Sequence, residues 1–405
     1  MADFARMTYG QYRELLKGER MPVALVNLNA FDENLRRALR ILEGSGKTLR
    51  PASKSVRCVW LLKRLFEQGG SAVRGLMCYS VEEAAFLFDH GFDDLLVAYP
   101  SVQPSDMELM AMLTSSGASV CLMADCEDHL DALGAAGRRH GLVLRAAIEV
   151  DMSYRPLGGA VHLGVRRSTV RTPAQVMRLV RHAEKTGGVR VAGLMGYEAQ
   201  IAGLGEKNPF SPELNPVRRI VKQLSIPDVA QKRQAVARAL ERGGVTLDFF
   251  NGGGTGSLRT TVKEDCVSEV TAGSAFLCPH LFSYYKDLNW LPAGLFALQV
   301  ARAPARGMVT CSGGGYIASG EAGPDKHPVP FLPEGCKLLP MEGGGEVQTP
   351  VVLPKNVKLE IGDPVFFRHA KAGELAERFN EYIMIRDGAI IAREPTYRGM
   401  GKAFL

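Results

Sequence analysis

Thr48-Leu49-Arg50-Pro51-Ala52-Ser53-Lys54-Ser55-Val56-Arg57-Cys58 is the stretch around which the rest of the chain is organised. It opens apolar, passes through a proline, and delivers one lysine among small residues just before a helical run, Val59-Trp60-Leu61-Leu62-Lys63-Arg64-Leu65-Phe66. Lys54 therefore falls at the end of a strand. A lysine held there, with small neighbours that let a flat ring lie close, gives up its proton more readily than a solvated one and can form an imine with an aldehyde. Taken alone, the residue reads as a solvated lysine in a strand-to-helix turn, because most lysines are exposed. The pattern around it has to decide.

Working outward, short apolar runs recur at 49–54, 75–80, 95–99, 120–125, 144–151, 191–197, 247–251 and 270–274. Helical segments separate them at 81–89, 105–115, 126–140, 173–186 and 228–242. Eight such units predict a closed (β/α)8 barrel of the TIM type, with functional groups at the C-terminal ends of its strands; an open doubly wound sheet is the alternative. Favouring the barrel is Asn251-Gly252-Gly253-Gly254-Thr255-Gly256-Ser257 after the seventh run, with Thr271-Ala272-Gly273-Ser274 closing the eighth. Phosphate sites of such barrels use the loops after strands seven and eight, where backbone amides freed of side chains cradle the anion. Three consecutive glycines also suit any flexible turn, so their place in the count carries the reading.

Before the barrel, residues 5–17 read as a short helix, 22–28 as a strand, and 30–43 as a helix with Phe31, Leu35, Ala38, Leu39 and Leu42 on one face. Past Trp290 the period changes. Runs at 296–301, 308–311, 347–353, 357–361, 364–367, 382–386 and 388–391 are short, alternating and separated by Gly, Pro and Asp, which predicts an antiparallel β domain. The expected division is a segment 1–30 packing with the β domain and supplying it a strand, a barrel over 31–288, and the β domain over 289–405.

The chain has 405 residues, 46% hydrophobic and 23% charged, enough for a large barrel and a second domain. Its 49 basic residues are scattered among 43 acidic ones, and the net charge of +6 marks no nucleic-acid or membrane patch. Eight cysteines form no CxxC pair, and the first twenty residues contain no apolar h-region, so a soluble protein of the reducing cytoplasm is expected.

A lysine, a phosphate cradle and a barrel together suit a phosphorylated aldehyde, and pyridoxal phosphate is the cofactor that needs these parts. Ala52-Ser53-Lys54, Gly164-Val165-Arg166-Arg167-Ser168-Thr169-Val170, the glycine loop and the β domain resemble the fold-type III pyridoxal-phosphate enzymes. Within that class the chain is most similar to the group of D-threonine aldolase, D-serine dehydratase and amino acid aldolases or deaminases. The resemblance implies that Lys54 carries the cofactor as a Schiff base and then serves as acid and base. It implies that Gly253, Gly254, Thr255 and Ser274 hold the phosphate, that Arg167, beside Arg166, lies next to the cofactor, and that Tyr197 contacts its ring.

Metal-dependent relatives place a histidine and, two residues on, a cysteine or aspartate in the β domain. This chain has His369 and Lys371 at that spacing. A protonated lysine repels a cation. The pair is therefore read as catalytic acid–base groups with no metal bound, His369 being the ligand if one is retained. The expected function is a lyase on a β-hydroxy amino acid, acting by retro-aldol cleavage or by dehydration and deamination. A racemase is the alternative, along with a non-catalytic cofactor carrier. A small amino acid substrate and a homodimer complete the expectation.

Overall fold

The protein is described from a computed structural model covering residues 3–371 and 373–404; Ala372 lies outside the described residues. Nine strands precede residue 290: β1 (Val23–Asn27), β2 (Thr48–Pro51), β3 (Leu76–Cys78), β4 (Leu95–Val97), β5 (Val120–Ala124), β6 (Leu144–Glu149), β7 (Val189–Gly196), β8 (Phe249–Gly252) and β9 (Glu269–Ala272). Strands β2 to β9 form one parallel sheet in the order β2-β9-β8-β7-β6-β5-β4-β3. Parallel bridges from Leu49 to Val73 and from Ala52 to Met77 bring β2 beside β3 and curl the sheet into a barrel. Each of the eight runs expected for the barrel overlaps one of these strands.

The helices cover the barrel because their apolar faces match its outer surface. The helix Leu28–Leu42 buries Phe31, Leu35, Ala38 and Leu42, and Asn27 caps it by accepting from the Ala30 amide at 3.1 Å. Inside that helix Asn34 is fully buried. Its amide nitrogen donates to the carbonyls of Phe276 and Leu291, and its oxygen accepts from the Leu291 amide at 2.7 Å. The stretch from Phe276 to Trp290 is thereby drawn into the chain. Phe276, Tyr285, Leu288 and Trp290 are buried there.

The N-terminal end of the barrel is closed by charge. Arg50 donates to both carboxylate oxygens of Glu269 at 2.7 and 2.8 Å and to Asp94 at 3.0 Å, and Asn251 donates to Glu269 at 2.8 Å. Removing one partner of so buried a pair leaves an uncompensated charge and costs about 3–5 kcal/mol.

Eight further strands follow: β10 (Gly294–Ala305), β11 (Met308–Ser312), β12 (Val329–Leu332), β13 (Lys337–Leu338), β14 (Gln348–Val352), β15 (Pro364–Arg368), β16 (Glu381–Arg386) and β17 (Ala389–Pro395). With β1 they form an antiparallel-rich sheet in which β1 pairs antiparallel with β10 and parallel with β16. The N-terminal strand thus joins this sheet.

Two details differ from expectation. Residues 357–361 alternate as a strand would but form none: Asp363 accepts from the Glu360 amide at 2.9 Å in a local turn, and Ile361 is exposed. Conversely, β12 lies in a proline-rich run that hides a strand, and it pairs with β15 alone.

Candidate active site

Strand β2 ends at Pro51, and Ser53–Ser55 form a single 3-10 turn. Ser53 anchors that turn by donating to the Met77 carbonyl at 2.9 Å. Lys54 is left pointing across the barrel mouth, where its ammonium donates to the Tyr99 hydroxyl at 2.8 Å. Tyr99 follows β4 and has a second cation beside it: the Arg167 guanidinium carbon lies 5.7 Å from the Tyr99 ring centre and 5.7 Å from that of Tyr197. Tyr197 follows β7. Burial pushes its phenol up to about 12, with Glu198 adding to the shift and Arg167 opposing it, so it stands protonated as a hydrogen-bond donor.

The glycine loop after β8 is built for close approach. Gly253 has φ +90°, a conformation that side chains disfavour. A β-carbon on Gly254 would lie 2.8 Å from Ala202 and 3.0 Å from the Tyr197 ring, and one on Gly256 would lie 2.2 Å from the Ala202 carbonyl. Thr255 accepts from the Ala275 amide at 3.1 Å, tying the loop to the turn after β9. Among the described residues, no protein acceptor engages the amides of Thr255 or Gly256.

Beneath the loop, Glu198 is fully buried and gathers four donors: the Gly253 amide at 3.2 Å, Ser257 at 2.6 Å, Thr261 at 2.5 Å and the Arg233 guanidinium. Arg233 is also buried and pairs with Glu264 as well. Burial alone would raise the Glu198 carboxyl. Arg233, Ser257 and Thr261 outweigh it and hold the group below the usual range.

Lys54, Arg167, Tyr197, Gly253, Gly254, Thr255 and Ser274 all line one cavity of about 130 Å³, together with Tyr99 and Asn251. A larger groove of about 1270 Å³, beside Arg37 and Trp290, shares no lining residue with it. Neither His369 nor Lys371 lines the Lys54 cavity. His369 is buried, its carbonyl accepting from the His280 amide, and the Lys371 ammonium donates to the Ser319 carbonyl at 2.7 Å and hydroxyl at 3.2 Å. Glu374 accepts from the Ser319 amide, so both charged residues meet on Ser319. Asp151 pairs with Arg155 and Arg171.

Sequence reasoning missed Tyr99, Arg233 and Glu149. Tyr99 stands at the end of an apolar run, as Tyr197 does, and that position is the signal that finds it. Arg233 looks like one more surface charge on a helix. Glu149 closes β6, and burial pushes its carboxyl up to about 7; Arg167 opposes this, while Asp125 and Asp151 reinforce it.

Residues 26–238 match the family model described as alanine racemase, N-terminal domain. The chain belongs to the alanine racemase N-terminal domain family. Among its relatives, a 3-hydroxy-D-aspartate aldolase of Paracoccus denitrificans (strain Pd 1222) is 25% identical over 253 residues, 62% of this chain and 59% of that protein. A D-threo-3-hydroxyaspartate dehydratase of Delftia sp. (strain HT23) is 23% identical over 62% of this chain and 60% of its own length. The matches therefore span about three fifths of these curated relatives. In structure, D-threonine aldolase from Filomicrobium marinum superposes with a TM-score of 0.77 at 20% identity, covering 94% of this chain and 95% of the other.

The alanine racemase-like barrel has the features a bound pyridoxal phosphate demands. Among the described residues the Thr255 amide has no protein acceptor, Gly254 leaves no room for a side chain, and Lys54 faces the same cavity.

Proposed function

We propose that this protein is a pyridoxal-phosphate-dependent lyase acting on a β-hydroxy amino acid, by retro-aldol cleavage or by dehydration and deamination. The observation that carries the reading is the convergence of the Lys54 ammonium and the glycine-loop amides on one cavity at the barrel mouth. The names of the relatives support the substrate class, since both chemistries act on a hydroxyl beside the amino-bearing carbon.

When bound, the cofactor supplies an electron sink for the charge left at the α-carbon. Everything else falls to the chain. Lys54 is the attachment point and, once free, the group that takes and returns a proton. Tyr99 holds its nitrogen at 2.8 Å and keeps it aimed across the mouth. The Thr255 amide would donate to the phosphate, Gly253, Gly254 and Ser274 would shape its cradle, and Glu198 with Arg233 fixes that cradle from below. Arg167, between the Tyr99 and Tyr197 rings, places positive charge at the cavity wall without occupying the attachment point. Lys371, with His369 near it in the chain, is proposed to supply the acid at the substrate's β-oxygen in place of a divalent ion. A homodimer in the cytoplasm completes the proposal. Support for an assembly comes from the exposed row Leu214, Val217, Ile220 and Leu224 along the start of the long helix Asn215–Arg242. Among the described residues no helix is long and apolar enough to cross a membrane.

The test is incubation with a panel of β-hydroxy amino acids of both configurations, assayed for aldehyde, keto acid and inverted amino acid. Aldehyde or keto acid supports the lyase. Inverted amino acid alone makes the protein a racemase, and a lack of turnover with cofactor bound leaves it a carrier.

A further inference from the structure

Outside the Lys54 cavity, one cluster at the barrel mouth combines three different metal-ligating groups. Strand β5 ends at Ala124, Asp125 and Cys126 follow, and the helix Glu127–His140 carries His129 in its first turn. Their carboxylate, thiol and imidazole each offer one ligand atom, all within 4.8 Å of one another, and each residue is partly exposed. The His129 Nδ1 accepts from the Asp125 amide at 3.2 Å and lies 3.1 Å from the Asp125 carboxylate. The ring Nδ1 offers a single lone pair, so a metal bound there would displace the amide contact. A proton shared between ring and carboxylate accounts for that separation, and a cation bound by both would take its place.

Nitrogen and oxygen ligands each about 2.0–2.1 Å from a tetrahedral zinc stand about 3.3 Å apart, close to the spacing already present between His129 and Asp125. Cys126 is the N-cap of its helix, yet its side chain makes no capping bond, so the thiol is free to turn inward by roughly an ångström to complete the set. The helix N-terminus is mildly hostile to a cation, but a thiolate and a carboxylate bring two negative charges to offset it.

We propose that Asp125, Cys126 and His129 form a zinc site on the rim of the barrel, its fourth position open to water. The donor set selects the metal. One sulfur and one imidazole beside a single carboxylate suit zinc, whereas magnesium and calcium take oxygen ligands. None of the three residues lines the Lys54 cavity, so the ion ties the end of β5 to the first turn of the following helix and leaves the cofactor site intact.

The experiment uses chelator-stripped protein titrated with zinc, and with cobalt(II) as a coloured substitute. One ion per chain is expected, and the cobalt adduct should show thiolate-to-metal charge-transfer absorption. Cys126→Ser keeps a competent N-cap and so should fold, but it should lose that absorption and weaken zinc binding by about 100-fold. His129→Ala should weaken binding comparably, and His369→Ala should leave it unchanged; thermal unfolding of each variant without metal verifies that it is folded. Absence of stoichiometric zinc, a thiolate band that survives Cys126→Ser, or one that vanishes only in His369→Ala overturns the proposal.

Discussion

Gly373 lies so close to Lys54 that a β-carbon on the glycine would sit 1.7 Å from the lysine's carbonyl oxygen. The same oxygen accepts from Arg57 at 3.1 Å, and Arg57 in turn pairs with Glu377. The β domain therefore clamps the turn that aims the lysine. Gly373→Ala must push that turn away, and a displacement near an ångström at a reacting group costs on the order of 100-fold in rate. The expected result is a folded variant, by circular dichroism, whose turnover falls at least about tenfold. Wild-type turnover in this variant would show that the clamp has no bearing on Lys54.

Glu198 offers a second test. Glu198→Ala leaves Arg233 buried and short of a partner, a loss of about 3–5 kcal/mol, and frees the Gly253 amide that the carboxylate now holds. The melting temperature should drop sharply and the cofactor should dissociate more readily than from the parent. Because the Glu198 carboxyl is held below its ordinary range, its contribution is present at neutral pH and is lost as pH falls through the folded value. The variant and the parent should thus converge in stability toward acid pH.

For Glu149 the sign reverses. Burial raises its carboxyl to about 7, so folding takes up a proton between the ordinary glutamate range and that value. The stabilisation is complete below about pH 4.3 and fades as pH rises through about 7. Glu149→Gln, which cannot ionise, should therefore lose less melting temperature than the parent between about pH 4.3 and about pH 7. Parallel curves over that interval would mean that Glu149 ionises normally in the folded chain.

Lys371 is tied to Ser319 by two hydrogen bonds, and the proposal makes its ammonium the acid at the substrate's β-oxygen. Lys371→Met should reduce kcat by roughly 100-fold, the scale of losing a positioned acid, with cofactor content unchanged. Turnover of the parent should survive EDTA. Full activity in Lys371→Met would reduce this lysine to a structural tie, and loss of activity in EDTA restored by a divalent ion would place a metal in the reaction.

Much of this was legible in the sequence because the barrel repeats one signal eight times. A short apolar run followed by an amphipathic helix locates each strand end, and the functional groups sit at those ends. Lys54 and the glycine loop were read from that position, and Tyr197 and Ser274 from the family resemblance. What stayed hidden depends on packing across the fold. The alternation in residues 357–361 promises a strand, but a strand requires a neighbour, and the turn held by Asp363 gives it none. Arg233 reads as a surface charge until the fold buries it against Glu198. The placement of His369 and Lys371 outside the Lys54 cavity follows from how the β domain docks, which no local pattern encodes.

The central claim is that Lys54 carries the cofactor, and borohydride reduction followed by peptide mapping tests it most directly. The protein should take up one pyridoxal phosphate per chain, lose its yellow absorption on reduction, and yield a single labelled peptide modified at Lys54. Lys54→Ala should bind the cofactor without any reducible link. A label on another lysine, or a reducible link that persists in Lys54→Ala, would contradict the account.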